Sequence, residues 1–184
     1  MVARPRRLTA VALVLVALLA TALGGYAIAS VLEEPPGAAV GIDGLRLRPL
    51  SGWAAAGGGE IGGWTLLRLT RGTGNLDAAV RPGASSGGVG AAAIRYVDEV
   101  LRRSLVRLSV SEELEGVSTA SGLAGVRFTY TGVVADTRQA IEGEVTVVVT
   151  LAGGAVAFDV WTQTGQLPFV LGDAHAMIDR AEAA

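Results

Sequence analysis

The sequence predicts an α+β protein, an N-terminal transmembrane helix followed by an antiparallel β-sheet packed with two main helices. Three observations lead there. Leu8 to Leu32 carries no charged residue, and about 20 apolar residues suffice to cross a bilayer core. Residues 126–160 alternate apolar and polar side chains at the strand period. Two further stretches, around 91–107 and 168–183, space their apolar residues by three and four, as amphipathic helices do.

The apolar run sets the expected compartment. Arg4, Arg6 and Arg7 precede it and Glu33 and Glu34 follow it, and basic flanks stay cytoplasmic. The chain is therefore expected to hold a cytoplasmic basic tail at 1–7, a transmembrane anchor at 8–32, a spacer at 33–43 and an extracytoplasmic α+β domain at 44–184. It would sit in the cytoplasmic membrane as a single-pass protein with its N-terminus inside. Ala27-Ile28-Ala29 before Ser30 also suits a signal peptidase, so secretion after cleavage is the alternative. The run from Leu8 to Leu23 exceeds the roughly 7 to 15 residues of a signal core and then continues, which favours a retained anchor.

Beyond the anchor, the elements follow in order. Pro35-Pro36-Gly37 marks a stiff spacer. Leu45-Arg46-Leu47-Arg48 alternates as a first strand, ended by Pro49 and a Ser51-Gly52 turn before Trp53. Gly57-Gly58-Gly59 reads as a break. A hairpin follows, Trp64 to Arg71 and Leu76 to Arg81 around Gly72-Thr73-Gly74-Asn75. The glycine-rich stretch 81–90 is expected as a flexible loop. The helix from Ala91 to about Arg107 places Ile94, Val97, Leu101 and Leu105 on its apolar stripe. A weaker strand is expected around 108–114 and a polar connection over 116–125. Val126, Phe128 and Tyr130 then alternate with polar residues, as do Ile141, Val145, Val147 and Val149. A two-residue Gly153-Gly154 turn would set Val149 opposite Phe158 and Val147 opposite Val160. A terminal helix carries Val170, Ala174, Met177, Ile178 and Ala181 on one stripe.

Composition narrows the chemistry. About 150 residues beyond the anchor suffice for one domain with a core. Three of the 15 basic residues precede the anchor while all 17 acidic residues follow it, and every basic residue is arginine. The resulting acidic excess argues against nucleic acid as a partner. The absence of cysteine excludes disulfides, thiolate metal sites, a thiol nucleophile and lipoprotein attachment. No later run is long enough for a second span, so the mean hydropathy of +0.48 reflects the anchor.

From the first strand onward the chain resembles the PsbP-like, or Mog/PsbP-type, α/β/α sandwich, in the form of actinobacterial LpqN-type lipoproteins. The resemblance rests on the Ser51-Gly52-Trp53 turn after the first strand, the hairpin before the long helix, the Gly153-Gly154 hairpin of long strands and the terminal helix. It covers roughly residues 44 to 183. It implies a non-catalytic domain that binds proteins in the assembly of membrane complexes, here an envelope protein partner. The lipidated cysteine of the lipoprotein members is missing, and the residue 8–32 segment replaces it as the tether to the cytoplasmic membrane.

No reaction centre stands out. Gly83-Ala84-Ser85-Ser86-Gly87 matches Gly-x-Ser-x-Gly, and His175, the sole histidine, would have to serve as its base. The surrounding pattern is antiparallel, and a chain with 26 glycines meets the motif by chance. The same loop lacks a P-loop lysine. Glu112, Glu113 and Glu115 with Asp43, Asp77 and Asp136 show no calcium-loop spacing. Glu142 and Glu144 lie on one strand about 7 Å apart, with no supporting glycosidase site. No cofactor is expected. The polar sheet face, expected to gather Arg127, Thr129, Glu142, Glu144, Thr146, Asp159, Trp161 and Gln163, is the candidate partner face, with Trp161 beside Thr146 as its anchor. A small apolar or envelope-derived ligand between helix and sheet is the alternative, and a hydrolase the third.

Overall fold

The structure, a computed structural model, describes residues 37–183 other than Ser85 and Ser121. The tail and anchor expected at 1–7 and 8–32 lie outside the described residues, as does Ser85 of the Gly-x-Ser-x-Gly match. Among the described residues no helix is long and apolar enough to cross a membrane.

The stretch expected as a spacer already carries structure. β1 (Val40–Ile42) pairs antiparallel with β2 (Leu45–Leu47) through Asp43 and Gly44, whose φ angles are 43° and 84°. Two positive φ values in sequence are what an Asp-Gly hairpin turn supplies. The last strand, β11 (Glu182–Ala183), joins β2 to complete a three-stranded sheet.

The main sheet has eight strands, in the order β3 (Ala54–Ile61), β4 (Trp64–Arg71), β5 (Gly74–Arg81), β10 (Ala155–Gln163), β9 (Ala140–Val149), β8 (Ala124–Val134) and β6 (Leu105–Val110), with β7 (Glu115–Ser118) also on β8. Every adjacent pair is antiparallel, as the alternation predicts. The β4–β5 hairpin is present, with β4 at its expected bounds and β5 starting two residues earlier than expected, at Gly74. Gly57-Gly58-Gly59 does not break the chain; it runs inside β3, with a register shift between Ala55 and Gly57. The stretch expected as a connection at 116–125 contributes β7, and β6 starts directly after the helix, earlier than expected.

Helix α1 runs from Gly88–Tyr96 through a π-helical turn, Val97–Leu101, to a last turn, Arg102–Ser104. Its buried face is Ala92, Ala93, Tyr96, Val100 and Leu101, while Ile94 is exposed. The expected stripe through Ile94 is therefore displaced. Small residues let the helix approach the sheet, and the wide turn carries the buried face from Tyr96 to Leu101 one residue further than an α-helix would. Helix α2 (Pro168–Asp179) buries Ala174, Met177 and Ile178, on the expected stripe.

The β9–β10 register differs from the expected one. Val149 stands opposite Ala155, Val147 opposite Ala157 and Val145 opposite Asp159. The loop runs from Thr150 to Gly154, closed by Thr150 N–H donating to the Gly154 carbonyl (2.9 Å) and Gly154 N–H to Thr150 Oγ1 (3.1 Å). A longer loop resets which residues face each other. The sequence did not reveal the phase because both faces are covered. Val147 and Val148 are equally buried, so apolar character does not distinguish in from out.

One core lies on each face. Beneath α2 and the small sheet are Leu45, Leu47, Leu69, Leu76, Phe158 and Met177. Beneath α1 are Trp64, Tyr96, Phe128, Tyr130, Val145 and Val147. Each large side chain fully buried in this way contributes about 1.5–3 kcal/mol relative to exposure.

Candidate functional site

The α1 face of the sheet is not closed along its whole length. Between the end of α1 and the strands β3, β4, β8 and β9 lies a cleft of about 450 Å³, within the size range of ligand sites. Leu66, Val100, Leu101, Leu105, Val134 and Ile141 form apolar walls, and the backbone of Gly57, Gly58 and Gly59 forms one rim. The rim stays open because two of these glycines have room that no side chain fills. A Cβ on Gly57 or Gly59 would meet nothing within 4 Å, whereas one on Gly58 would strike the Leu66 carbonyl oxygen at 2.3 Å.

The floor is polar. Register places Arg68, Asp77 and Asp159 in one row across β4, β5 and β10. Arg68 donates to both Asp77 oxygens, Nε to Oδ1 and Nη2 to Oδ2, each at 2.6 Å, the bidentate geometry a guanidinium provides. Trp161 Nε1 donates to Asp77 Oδ2 at 3.0 Å, and the Arg68 Cζ lies 5.1 Å from the centre of the Trp161 ring, within cation–π range. Asp159 accepts from Tyr130 Oη at 2.8 Å and from Tyr96 Oη at 3.0 Å. Tyr130 can lie across β9 because residue 143 is glycine; a Cβ there would fall 2.5 Å from the Tyr130 ring.

Burial controls the charge of this floor. Asp159 is 3% exposed, and burial, then the neighbouring Asp77 charge, push its carboxyl up to about 7 against the opposing pull of the tyrosine hydrogen bonds and Arg68. Tyr96 and Tyr130 are held well above their ordinary range, first by burial and, among the remaining causes, by the Asp159 charge. Both stay neutral hydroxyl donors. Arg68 is raised, chiefly by its hydrogen bond to Asp77.

A carboxyl that titrates near neutrality in a cleft is a candidate proton carrier. Here its two oxygens are each covered by a tyrosine hydroxyl. The other cleft-lining hydroxyl on α1, Ser104 Oγ, donates to the Val100 carbonyl at 3.0 Å. Among the described residues no group of three His, Cys, Asp or Glu side chains could hold a metal ion. The arrangement suits recognition through fixed charge and hydrogen bonds. Beside the cleft, Glu99 on the π-helical turn ties α1 to the sheet: it accepts from Trp64 Nε1 at 3.0 Å and pairs with Arg81, itself bonded to the Gly62 carbonyl at 2.9 Å.

The residues expected on one polar face are divided between two. Arg127 stands opposite Thr146, and Thr129 opposite Glu144, on the α2 side. There Arg127 Nε lies 3.3 Å from Thr146 Oγ1 and 3.3 Å from Glu144 Oε1, and His175 Nε2 lies 2.6 Å from the same Glu144 oxygen. Glu142 accepts the N–H groups of Gly165 and Leu167 at 2.8 and 2.9 Å, so it fixes the turn into α2. Asp159 and Trp161 project to the α1 side, where Trp161 stands opposite Gly143 rather than beside Thr146. Gln163 is exposed at the end of β10. The physical reason for the division is the reset β9–β10 register.

The sequence alone points to no site role for Arg68, Tyr96 or Tyr130, and marks Asp77 only as one of several acids without calcium-loop spacing. One signal was present. Asp77 and Asp159 are single acids within apolar strand segments, Leu76-Asp77-Ala78 and Phe158-Asp159-Val160, and a charge in such a run needs a buried partner.

No protein-family model matches the sequence, nor does any curated protein. Among solved structures the chain is similar to the Ran-binding protein Mog1p of Saccharomyces cerevisiae, with a TM-score of 0.51 at 8% identity over 81% of this chain and 96% of that one. It is likewise similar to the cyanobacterial PsbP, CyanoP, of Synechocystis, with a TM-score of 0.51 at 16% identity over 83% of this chain and 99% of that one. The chain thus has a Mog/PsbP-like α+β fold, as the order of its elements implies.

Proposed function

We propose that this chain is a non-catalytic, membrane-anchored extracytoplasmic domain that binds a protein partner in a cell-envelope complex, and that the partner adds an extended segment to the edge of β3. The observation that carries this reading is the edge itself. β3 is eight residues long and nearly all exposed, and among the described residues no strand pairs with its outer side. Its first six residues, Ala54-Ala55-Ala56-Gly57-Gly58-Gly59, carry neither charge nor proline; Glu60 is its one charged residue, and its register shifts once, between Ala55 and Gly57. Glycine within a strand also permits close approach of another backbone. The opposite edge is divided between β6 and β7, shifts register between Val106 and Ser109, and holds Arg107 at φ 53°. Strand addition at a free edge is a recurrent mode of peptide recognition. The same architecture serves a Ran-binding protein in Mog1p. The uncharged run at 8–32 and its arginine-rich N-terminal flank support the tether and its orientation.

The test is site-specific photo-crosslinking of the full-length protein in its own membrane, with the probe at Ala56 or, as comparison, at the fully exposed Leu151. A discrete envelope-protein adduct from Ala56 and none from Leu151 is expected. Adducts from Leu151 alone would refute binding at β3.

A second reading, a small ligand held between helix and sheet, is favoured by the cleft of about 450 Å³. The hydrolase reading gains no support, since the His175 ring is engaged with Glu144.

A further inference from the structure

We infer that the cleft between α1 and the sheet takes a neutral aliphatic ester, its acyl chain along the apolar walls and its carbonyl oxygen on Arg68; this rests on the small-ligand reading and is independent of strand addition at β3.

The lining offers one partly exposed side chain whose donors are not all spent. The hydroxyls of Tyr96 and Tyr130 donate to Asp159, the Trp161 N–H donates to Asp77, and the Ser104 hydroxyl donates to a helix carbonyl. Asp77 and Asp159 are buried, and their oxygens already accept these bonds and those of Arg68. Arg68 is different. Of the five N–H donors of a guanidinium, it spends one at Nε and one at Nη2 on Asp77, and Nη1 donates to nothing among the described residues. Its side chain lines the cleft and is 42% exposed. A ligand that displaces water from these donors must bring an acceptor, since leaving a charged donor unpaired costs about tenfold or more in affinity.

The head must also be uncharged. Asp77 neutralises Arg68, and Asp159 and Glu60 add acid to the same cleft. A carboxylate head would stand among those acids. An ammonium, with donors and no acceptor, would leave Arg68 unpaired. A carbonyl oxygen accepts without charge, and an ester brings it with no N–H of its own to bury beside carboxylates already engaged.

The walls select the remainder. Leu66, Val100, Leu101, Leu105, Val134 and Ile141 are all aliphatic, and about 450 Å³ lies near the lower end of ligand sites, which suits a short acyl chain. Each methylene laid against them should tighten binding about fourfold.

Asp159 gives charged probes a signature of their own. The groups facing it are Asp77 on β5, Arg68 on β4, Tyr96 on α1 and Tyr130 on β8, and its carboxyl sits at about 7. Between pH 6 and pH 8 it gains a negative charge, which weakens an anion and leaves a neutral ester unchanged.

The test uses full-length protein in nanodiscs of ether-linked phospholipid, which hold no ester, with empty nanodiscs as reference. Isothermal titration compares methyl hexanoate with hexanoate, hexylammonium and methyl butanoate. At pH 8 methyl hexanoate should bind about tenfold tighter than either charged probe, and about tenfold tighter than methyl butanoate. At pH 6 hexanoate should gain affinity while the ester keeps its own. The infrared carbonyl stretch of the bound ester should be lowered by the guanidinium, and Arg68→Met, which keeps an unbranched stem, should abolish that shift. Val134→Phe, on β8 and away from β3, should block the ester and leave the Ala56 adduct intact. Displacement of methyl hexanoate by 1-hexanoylglycerol is expected for an acylglycerol source, and failure to displace it overturns that source in favour of free esters. A charged probe that matches the ester at both pH values, or an unshifted carbonyl stretch, overturns the neutral head on Arg68 in wild-type protein whatever the variants do, and leaves the small-ligand reading standing. Absence of binding by every probe overturns both. Strand addition is judged separately, by the Ala56 adduct.

Discussion

Asp159 on β10 stands directly opposite Asp77 on β5, two buried carboxyl groups on one rung of the ladder. Asp77 is neutralised by Arg68, while Asp159 has only tyrosine hydroxyls. Burial, and then the like charge opposite, raise the carboxyl that lacks a cation. The row is a polar floor built into the sheet, and the sheet's stability should register its protonation.

The folded-state carboxyl of Asp159 titrates at about 7, against 3.8 for an unperturbed aspartate. Below about pH 4 the group is protonated in folded and unfolded chains alike. Between about 4 and 7 the folded chain holds the proton that the unfolded chain releases, so stability falls as pH rises; above about 7 the loss is complete. Asp159→Asn should remove this decline and raise stability above pH 7 by on the order of a few kcal/mol. Urea unfolding across pH 4 to 9 for both proteins measures it, and a parallel decline in the variant would exclude Asp159 as its source.

Arg68 opposes the raised titration of Asp159. Arg68→Ala should therefore move that titration further up and leave Asp77 without its bidentate partner. The carboxyl carbon resonance of Asp159, followed by NMR against pH, should show a midpoint above the wild-type value. An unchanged midpoint would mean that the guanidinium charge is screened from the floor.

Gly143 gives Tyr130 its place. Gly143→Ala puts a methyl 2.5 Å from the ring, which the ring can relieve only by leaving Asp159. The expected cost is about 1–3 kcal/mol, as for other overpacked cores, with the Tyr130 ring resonances displaced. Wild-type stability in chemical denaturation would contradict the packing described.

Elements set off by turn glycines or by a single apolar helical stripe were legible in the sequence. The β4–β5 hairpin, with glycines in its turn, and α2, with Ala174, Met177 and Ile178 on one stripe, appear at or near the expected positions. Register was not legible, because β9 and β10 are buried on both faces and Val147 and Val148 carry the same apolar signal. The buried face of α1 was hidden for a related reason. Ala92 and Ala93 face the sheet while the larger Ile94 faces out, and the π-helical turn shifts the period midway. Once the register moved, Asp159 and Trp161 left the expected face for the cleft, and Arg127, Thr146 and Glu144 stayed with His175. The Asp43-Gly44 hairpin was readable from its dipeptide alone.

The account centres on strand addition at β3, and backbone amide exchange tests it most directly. Full-length protein in native envelope vesicles, where the partner is present, is compared with the same protein alone in detergent. The account predicts that amides within Ala54–Ile61 exchange more slowly in the vesicles while those of Leu105–Val110, on the opposite edge, are unchanged. Slowing confined to the β6 edge, or none at β3, would contradict it.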